Sequence, residues 1–266
     1  MHNKIHISQM QSVGFISDLH LSSSDKEIGS RLKHALEHWA LKLDYLFILG
    51  DLFEYWIGDD ASEQCGLLQY EQLLARFSSD NKTELLIMHG NRDFLLGTDF
   101  CRRIRASLIP DPTILHYGDI PILLAHGDAL CTDDHEHMLT RAQMRTKEWQ
   151  KQVLSKSIEQ RLAIAHTARQ QSEENKRKKS MDIMDVNQNA VVKSMQNHSC
   201  QLMIHGHTHR PAVHYLEIEK KAAIRIVLSD WFDEPGIVEL RNNQLTVLSS
   251  DKKRTSINPN EFKAPR

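Results

Sequence analysis

Paired cysteines are missing from this chain. Its four cysteines, Cys65, Cys101, Cys131 and Cys200, are widely scattered without a C-x-x-C among them, which excludes a thiolate zinc ribbon and offers no disulfide framework. Long apolar runs are missing as well. No stretch reaches the ~18 apolar residues of a spanning helix, and the opening MHNKIHISQMQS has no apolar centre of the kind a secretion signal requires. A reducing, cytoplasmic location is therefore expected, with room for contact with a membrane surface. Internal repeats and low-complexity linkers are absent too. What is present, 40% hydrophobic and 26% charged residues over 266 positions, suits one large core or one core with a sizeable insertion.

Histidine, by contrast, is plentiful at sixteen residues, and several fall at the ends of apolar runs. His205, Gly206, His207, Thr208 and His209 follow Leu202-Met203-Ile204. Two imidazoles one residue apart on a glycine-loosened loop can face one cavity as metal ligands. Four further runs end alike. Val13 to Leu19 reads as a buried strand closing in SDLH, where Asp18 and His20, two apart, point the same way. Tyr45 to Leu49 leads to Asp51 in GDLFEYW, Glu84 to Met88 leads to His89, Asn91, Arg92 and Asp93 in HGNRDF, and Ile120 to Ala125 leads to His126 and Asp128 in HGD. Helical spacing of Ile28, Leu32, Ala35, Leu36, Trp39 and Leu43, and of Leu67, Leu68, Leu73, Leu74 and Phe77, predicts crossover helices between parallel strands. Strands are predicted again at Gln201–Ile204, Ala222–Ser229, Gly236–Leu240 and Leu245–Leu248, the last two joined by a turn at 241–244. The residues from Asp251 read as a polar tail.

Seven side chains, Asp18, His20, Asp51, Asn91, His126, His207 and His209, are too many ligands for one ion. Oxygen and imidazole donors without thiolate suit Mn²⁺, Mg²⁺, Fe²⁺ or Zn²⁺, and the imidazoles favour the transition metals. Shared as two sets with Asp51 between them, they would hold two ions ~3.5–4 Å apart, the spacing that stabilises both sides of an in-line phosphoryl displacement.

Between residues 134 and 198 no strand is suggested. Leu139, Ala142, Trp149 and Val153, then Ile158, Leu162 and Ala165, recur at helical spacing and predict a helical cap inserted between core segments 1–133 and 199–250. The net charge of −2 hides an uneven layout, for Arg141 to Lys179 holds eleven Lys or Arg against four Glu. Such a block is either a solvated helix face or a binder of diphosphate or anionic lipid.

SDLHL, GDLFEYW, HGNRDF, AHGD and HGHTH resemble the calcineurin-like metallophosphoesterases. GDLFEYWIGDD, HGNRDFLLG, HGDALCTDD, IMDVNQNAVV and LMIHGHTHRPAVH are similar, more narrowly, to the UDP-2,3-diacylglucosamine hydrolase family of the lipid A pathway. The resemblance spans Gly14 to Leu248 and implies an α/β fold, an αββα four-layer sandwich. It implies two Mn²⁺ per chain, one on Asp18, His20, Asp51 and His209 and the other on Asp51, Asn91, His126 and His207. Asp51, Asn91 and Arg92 are then catalytic, and Asn91, Arg92, Asp134, Ser172, Lys176, Lys179 and His207 touch a UDP-sugar lipid that is cut to UMP and a lipid 1-phosphate. At Lys176 the chain departs from the asparagine of that family. An inner-membrane surface is the expected partner and nucleic acid is not. In many metallophosphoesterases a His follows the motif Asn to protonate an alkoxide; here Arg92 stands instead, which fits a phosphate leaving group that needs charge rather than a proton. A surface Arg paired with Asp93 is the plainer alternative. Leu139, Trp149 and Ile158 are expected to face an acyl cleft. A soluble-nucleotide phosphodiesterase would need no such cleft, and a non-catalytic scaffold would have lost ligands.

Overall fold

The computed structural model describes residues 4–178, 183, 185–233, 235–248 and 254–262. Strand β1 (Lys4–Ile7) is followed by β2 (Val13–Ile16), α1 (Lys26–His38), β3 (Tyr45–Leu49), α2 (Leu68–Asp80), β4 (Glu84–Met88), α3 (Thr98–Arg103) and β5 (Ala106–Ile109). Strands β6 (Thr113–Tyr117) and β7 (Ile120–Ala125) precede the helices α4 (His135–Met144), α5 (Lys147–Leu154), α6 (Ile158–Lys178) and α7 (Gln188–Asn197). The chain closes with β8 (Leu202–His205), β9 (Ala212–Ile218), β10 (Lys221–Val227), β11 (Ile237–Arg241), β12 (Gln244–Leu248) and β13 (Arg254–Ile257).

Two mixed sheets form, one in the order β13-β12-β11-β2-β3-β4-β5 and the other β1-β6-β7-β8-β10-β9. Strands β2, β3, β4 and β5 pair parallel through helical crossovers. The unbroken apolar runs of β2, β3 and β4 reflect burial on both faces: Phe47 and Leu49 point into the core between the sheets, while Leu46 and Ile48 meet the helical layer of α1 and α2. Leu115, Ile122, Leu124 and Ile204 fill the inter-sheet core from the second sheet. Helix α7 covers that sheet's outer face with Val191 and Met195 against Leu123 and Met203. The expected αββα sandwich is the observed one.

Helix α1 starts where the Asp25 carboxylate accepts from the Glu27 and Ile28 amides, and its buried face is Ile28, Leu32, Ala35 and Leu36. It stops at His38 rather than running to Leu43, which follows a short 3₁₀ turn at Ala40–Lys42. The Arg241–Gln244 turn is confirmed, with Asn242 and Asn243 both left-handed at φ 52° and 57°, as a two-residue hairpin requires.

Three expectations are corrected. The polar tail from Asp251 contains β13, paired antiparallel with β12, and buries Ile257 and Phe262 in the inter-sheet core; two apolar residues among charged neighbours gave no periodic signal. Strands β1, β5, β6 and β9 stand outside the predicted set: β1 and β5 have four residues each, β1 and β9 are sheet edges with mixed polarity, and β6 is a short run of five. Helix α7 packs into the outer layer of the sandwich, so the inserted helices end before Val186, not at His198.

Candidate metal centre

The five motifs follow β2, β3, β4, β7 and β8 and converge where the parallel strands of both sheets end, the usual ligand edge of an open α/β sheet. Strand alternation does not aim Asp18 and His20, because β2 ends at Ile16. Left-handed turns aim them instead. Asp18 (φ 54°), His20 (51°), Asp51 (50°), His207 (71°) and His209 (53°) all carry positive φ, a conformation that costs a non-glycine residue roughly 1–3 kcal/mol and gathers at functional sites. The neighbouring glycines are needed for close approach: a Cβ on Gly90 would strike the Asp51 carboxylate, and one on Gly206 would strike that of Asp18.

Two donor clusters result. Asp18, His20 and His209 form one, and Asp51, His126 and His207 the other, each with its ligand atoms within 4.8 Å of one another. His20 Nε2 and His209 Nε2 face each other at 3.1 Å, and Asp18 Oδ1 lies 3.5 Å from His209 Nε2. Asn91 Oδ1 lies 3.0 Å from His126 Nε2. Asp51 Oδ2 stands between the clusters, 3.8 Å from His20 Nε2 and 3.7 Å from His126 Nε2. This all-nitrogen-and-oxygen set, converging on two adjoining points with one carboxylate facing both, fits a dinuclear divalent metal site.

The supports of these ligands fix their directions. His126 Nδ1–H donates to the Leu49 carbonyl at 2.9 Å, which leaves Nε2 facing the cluster. His20 Nδ1 sits 3.1 Å from Glu54 Oε2, and His209 Nδ1 sits 3.3 Å from Asp230 Oδ2. Asp51 Oδ1 accepts the Arg92 amide at 2.8 Å. Buried Asp93 accepts the Leu52, Phe53 and Gly90 amides, stitching the Asp51 loop to the Asn91 loop; burial and the Asp51 charge push its carboxyl up to about 6.

Acid groups dominate the local field. Burial opposes a charge on His209, but hydrogen bonds to Asp18 and Asp230 and their charges raise it to about 10. His126, buried likewise, is raised to about 9 by Asp51, Asp128 and Asp18. Asp18 is held well below the usual carboxylate range by His209 despite its burial. A potential that keeps protons on buried imidazoles also recruits divalent cations, whose binding releases those protons. His207 goes the other way, well below its ordinary value, through burial and the charge of His126.

Beside the clusters opens a cleft between the core and α4, α5 and α6, with Trp56, Phe94, Met144, Trp149 and Ile164 among its apolar walls. Asn91, Arg92 and Ser172 line it. Arg92 does not pair with Asp93: its Nη1 is 3.8 Å from Glu54 Oε1 and its side chain, 14% exposed, faces the cleft. Asp134 caps α4 by accepting the His137 amide. Lys176 lies on α6, and Lys179 lies outside the described residues. Trp149 meets the cleft, whereas Leu139 is 73% exposed and Ile158 packs against the α1–α2 side of the core, which corrects their expected place.

The basic block is not simply a solvated face. Arg141 donates to Asp128 at 2.8 Å and reaches Asp111 at 3.4 Å, Arg145 donates to the Gly90 carbonyl at 2.9 Å, Arg161 pairs with Asp60 through two hydrogen bonds, and Arg169 meets Glu54 at 3.0 Å. Four cap arginines thus strap the cap to core acids and to the Asn91 loop. Glu54 has no sequence signal beyond its place inside the GDLFEYW motif, and Asp230 none besides a strand end.

Residues 12–211 match the calcineurin-like phosphoesterase family. A UDP-2,3-diacylglucosamine hydrolase of Marinobacter nauticus is 44% identical over 234 residues, covering 88% of this chain and 95% of its own length. Those of Chromohalobacter salexigens and Haemophilus influenzae are 46% and 39% identical, over 83% and 90% of this chain and 88% and 94% of theirs.

Proposed function

The chain belongs to the calcineurin-like phosphoesterases and, within them, to the UDP-2,3-diacylglucosamine hydrolase family, and from that premise we propose that it hydrolyses the pyrophosphate of UDP-2,3-diacylglucosamine to UMP and 2,3-diacylglucosamine 1-phosphate in lipid A biosynthesis. The observation that carries this reading is the juxtaposition of two ligand clusters facing one carboxylate, Asp51, with an apolar cleft whose rim holds Arg92.

One ion is assigned to Asp18, His20, Asp51 and His209, the second to Asp51, Asn91, His126 and His207, and Mn²⁺ is the metal proposed for both. When bound, such a pair supplies Lewis-acid charge to phosphoryl oxygens and makes water a stronger nucleophile. The chain's own residues orient and discriminate. Arg92, tied through its amide to Asp51 and through its side chain to Glu54, meets charge that grows on the transferred phosphoryl, while the phosphate leaving group departs without a general acid. The cleft walls take the acyl chains at ~0.8 kcal/mol per buried CH₂, and contact with the sugar phosphate is assigned to Asp134, Ser172, Lys176 and Lys179, of which Ser172 lines the cleft. Among the described residues no helix is long and apolar enough to cross a membrane. Exposed Leu139 and Leu154 beside exposed Lys147 and Lys151 support docking of the cap on the cytoplasmic face of the inner membrane.

The direct test measures UMP release from UDP-2,3-diacylglucosamine before and after chelation, with add-back of Mn²⁺, Mg²⁺ and Zn²⁺. Activity should vanish on chelation and return best with Mn²⁺. Undiminished turnover after exhaustive chelation contradicts the metal reading, and equal turnover of a lipid-free UDP-sugar contradicts the lipid reading. Arg92→Ala should lower kcat by about 10²-fold or more, the cost of removing one preorganised transition-state contact, with a much smaller rise in KM. A pure KM effect would move Arg92 to ground-state binding.

A further inference from the structure

Behind the HGHTH loop, on β10, Arg225 is 2% exposed. It forms no ion pair among the described residues; its Nη1 lies 3.1 Å from His205 Nε2 and its Nε has no partner. A guanidinium can only donate. His205 Nε2 is therefore the acceptor, and the ring's proton sits on Nδ1, from which it is donated to the Gly206 carbonyl at 2.8 Å. That carbonyl also accepts the Thr208 amide at 2.9 Å. This second bond spans two residues and closes a γ-turn around His207, whose φ of 71° belongs to the rare, strained form of that turn. The turn does two things at once. It carries the His207 ring into the cluster with Asp51 and His126, and it directs the His207 amide onto both Asp18 oxygens at 3.1 and 2.9 Å.

We propose that Arg225 is a positioning residue of the metal centre: by fixing the tautomer of His205 it holds the strained turn that presents His207 to one half of the site and anchors Asp18 in the other. The proposal rests on the ligand set assigned above. Its logic is that strain at a functional site persists only where the surroundings over-determine it. Here two donors share the Gly206 oxygen, and one of them depends on a buried cation that the fold could otherwise replace. A buried guanidinium without an ion pair carries a desolvation cost, which packing alone does not explain.

The first test needs no variant. In the Zn²⁺-loaded protein, long-range ¹H–¹⁵N correlation spectra should show His205 as a neutral ring protonated at Nδ1; a ring protonated at Nε2, or at both nitrogens, overturns the proposal. The second compares Arg225→Met with Arg225→Lys. Mn²⁺ titration calorimetry should show affinity weakened about 10–100-fold in Arg225→Met, the usual loss when an outer support of a ligand is removed, while the melting temperature of the chelated protein stays level or rises. Arg225→Lys, which restores a donor, should regain part of the affinity. Unchanged affinity, or a loss matched by a lower melting temperature of the chelated protein, overturns the positioning role. If Arg225→Met does not fold, the tautomer measurement decides alone. Failure of the ligand assignment itself would look different, since the wild-type protein would then bind no Mn²⁺.

Discussion

Asp51→Ala should abolish turnover, with kcat/KM at least 10³-fold below wild type. Among the described residues Asp51 is the one carboxylate whose oxygen faces an imidazole of each donor cluster, at 3.8 Å from His20 Nε2 and 3.7 Å from His126 Nε2. Two unit charges 4 Å apart repel by about 4 kcal/mol at an effective dielectric constant of 20, and two divalent ions at that separation repel roughly four times as strongly. Without a shared anion the pair is not held, and the bound-metal count by elemental analysis should fall from two per chain to one or fewer. Asp51 also accepts the Arg92 amide, so the same change loosens the loop that carries Asn91. Retention of more than about a tenth of wild-type activity would remove Asp51 from between the metals, because loss of a shared ligand should cost orders of magnitude. Circular dichroism separates this from misfolding.

The donors of the two clusters are legible in the sequence because each follows an apolar run, and runs such as Tyr45–Leu49 and Leu202–Ile204 mark strands without any alignment. Their convergence was legible only in part. A period of two explains side chains on a strand, but Asp18 and His20 meet the site through two successive left-handed turns beyond β2, and no pattern of hydrophobicity encodes positive φ at an Asp or a His. The cap arginines show a different limit. Arg141, Arg145, Arg161 and Arg169 look alike in a basic run, yet their partners, Asp128, the Gly90 carbonyl, Asp60 and Glu54, lie 13 to 115 positions away in sequence. Charge counting treats them as one patch, whereas the fold pairs them singly. The edge strands β1 and β13 lack length: four residues with one or two apolar positions carry too little periodicity to separate from a loop.

Those straps leave the cap's apolar wall as the place where substrate choice can be tested apart from the metals. Trp149 lines the cleft with its ring centroid 5.8 Å from that of Phe94, and Ile164 faces the same space from α6, while no side chain in either metal cluster comes from the cap. Trp149→Glu and Ile164→Glu should therefore lower kcat/KM for UDP-2,3-diacylglucosamine about 100-fold or more. Displacing only four methylenes' worth of acyl contact costs roughly 3 kcal/mol at 0.8 kcal/mol each, and binding energy from remote parts of a substrate is what orients the diphosphate for reaction. Hydrolysis of bis(p-nitrophenyl) phosphate, which has no acyl chain, should stay within about twofold of wild type, an allowance that covers ordinary scatter in ΔΔG‡. Leu139→Glu, at a position exposed to solvent rather than to the cleft, should leave both reactions unchanged when the lipid is presented in detergent micelles. Equal loss on both substrates in Trp149→Glu would mean that the ring is packing that supports the Asn91 loop through Phe94. Loss on neither would place the acyl chains elsewhere and return the cleft to a soluble nucleotide.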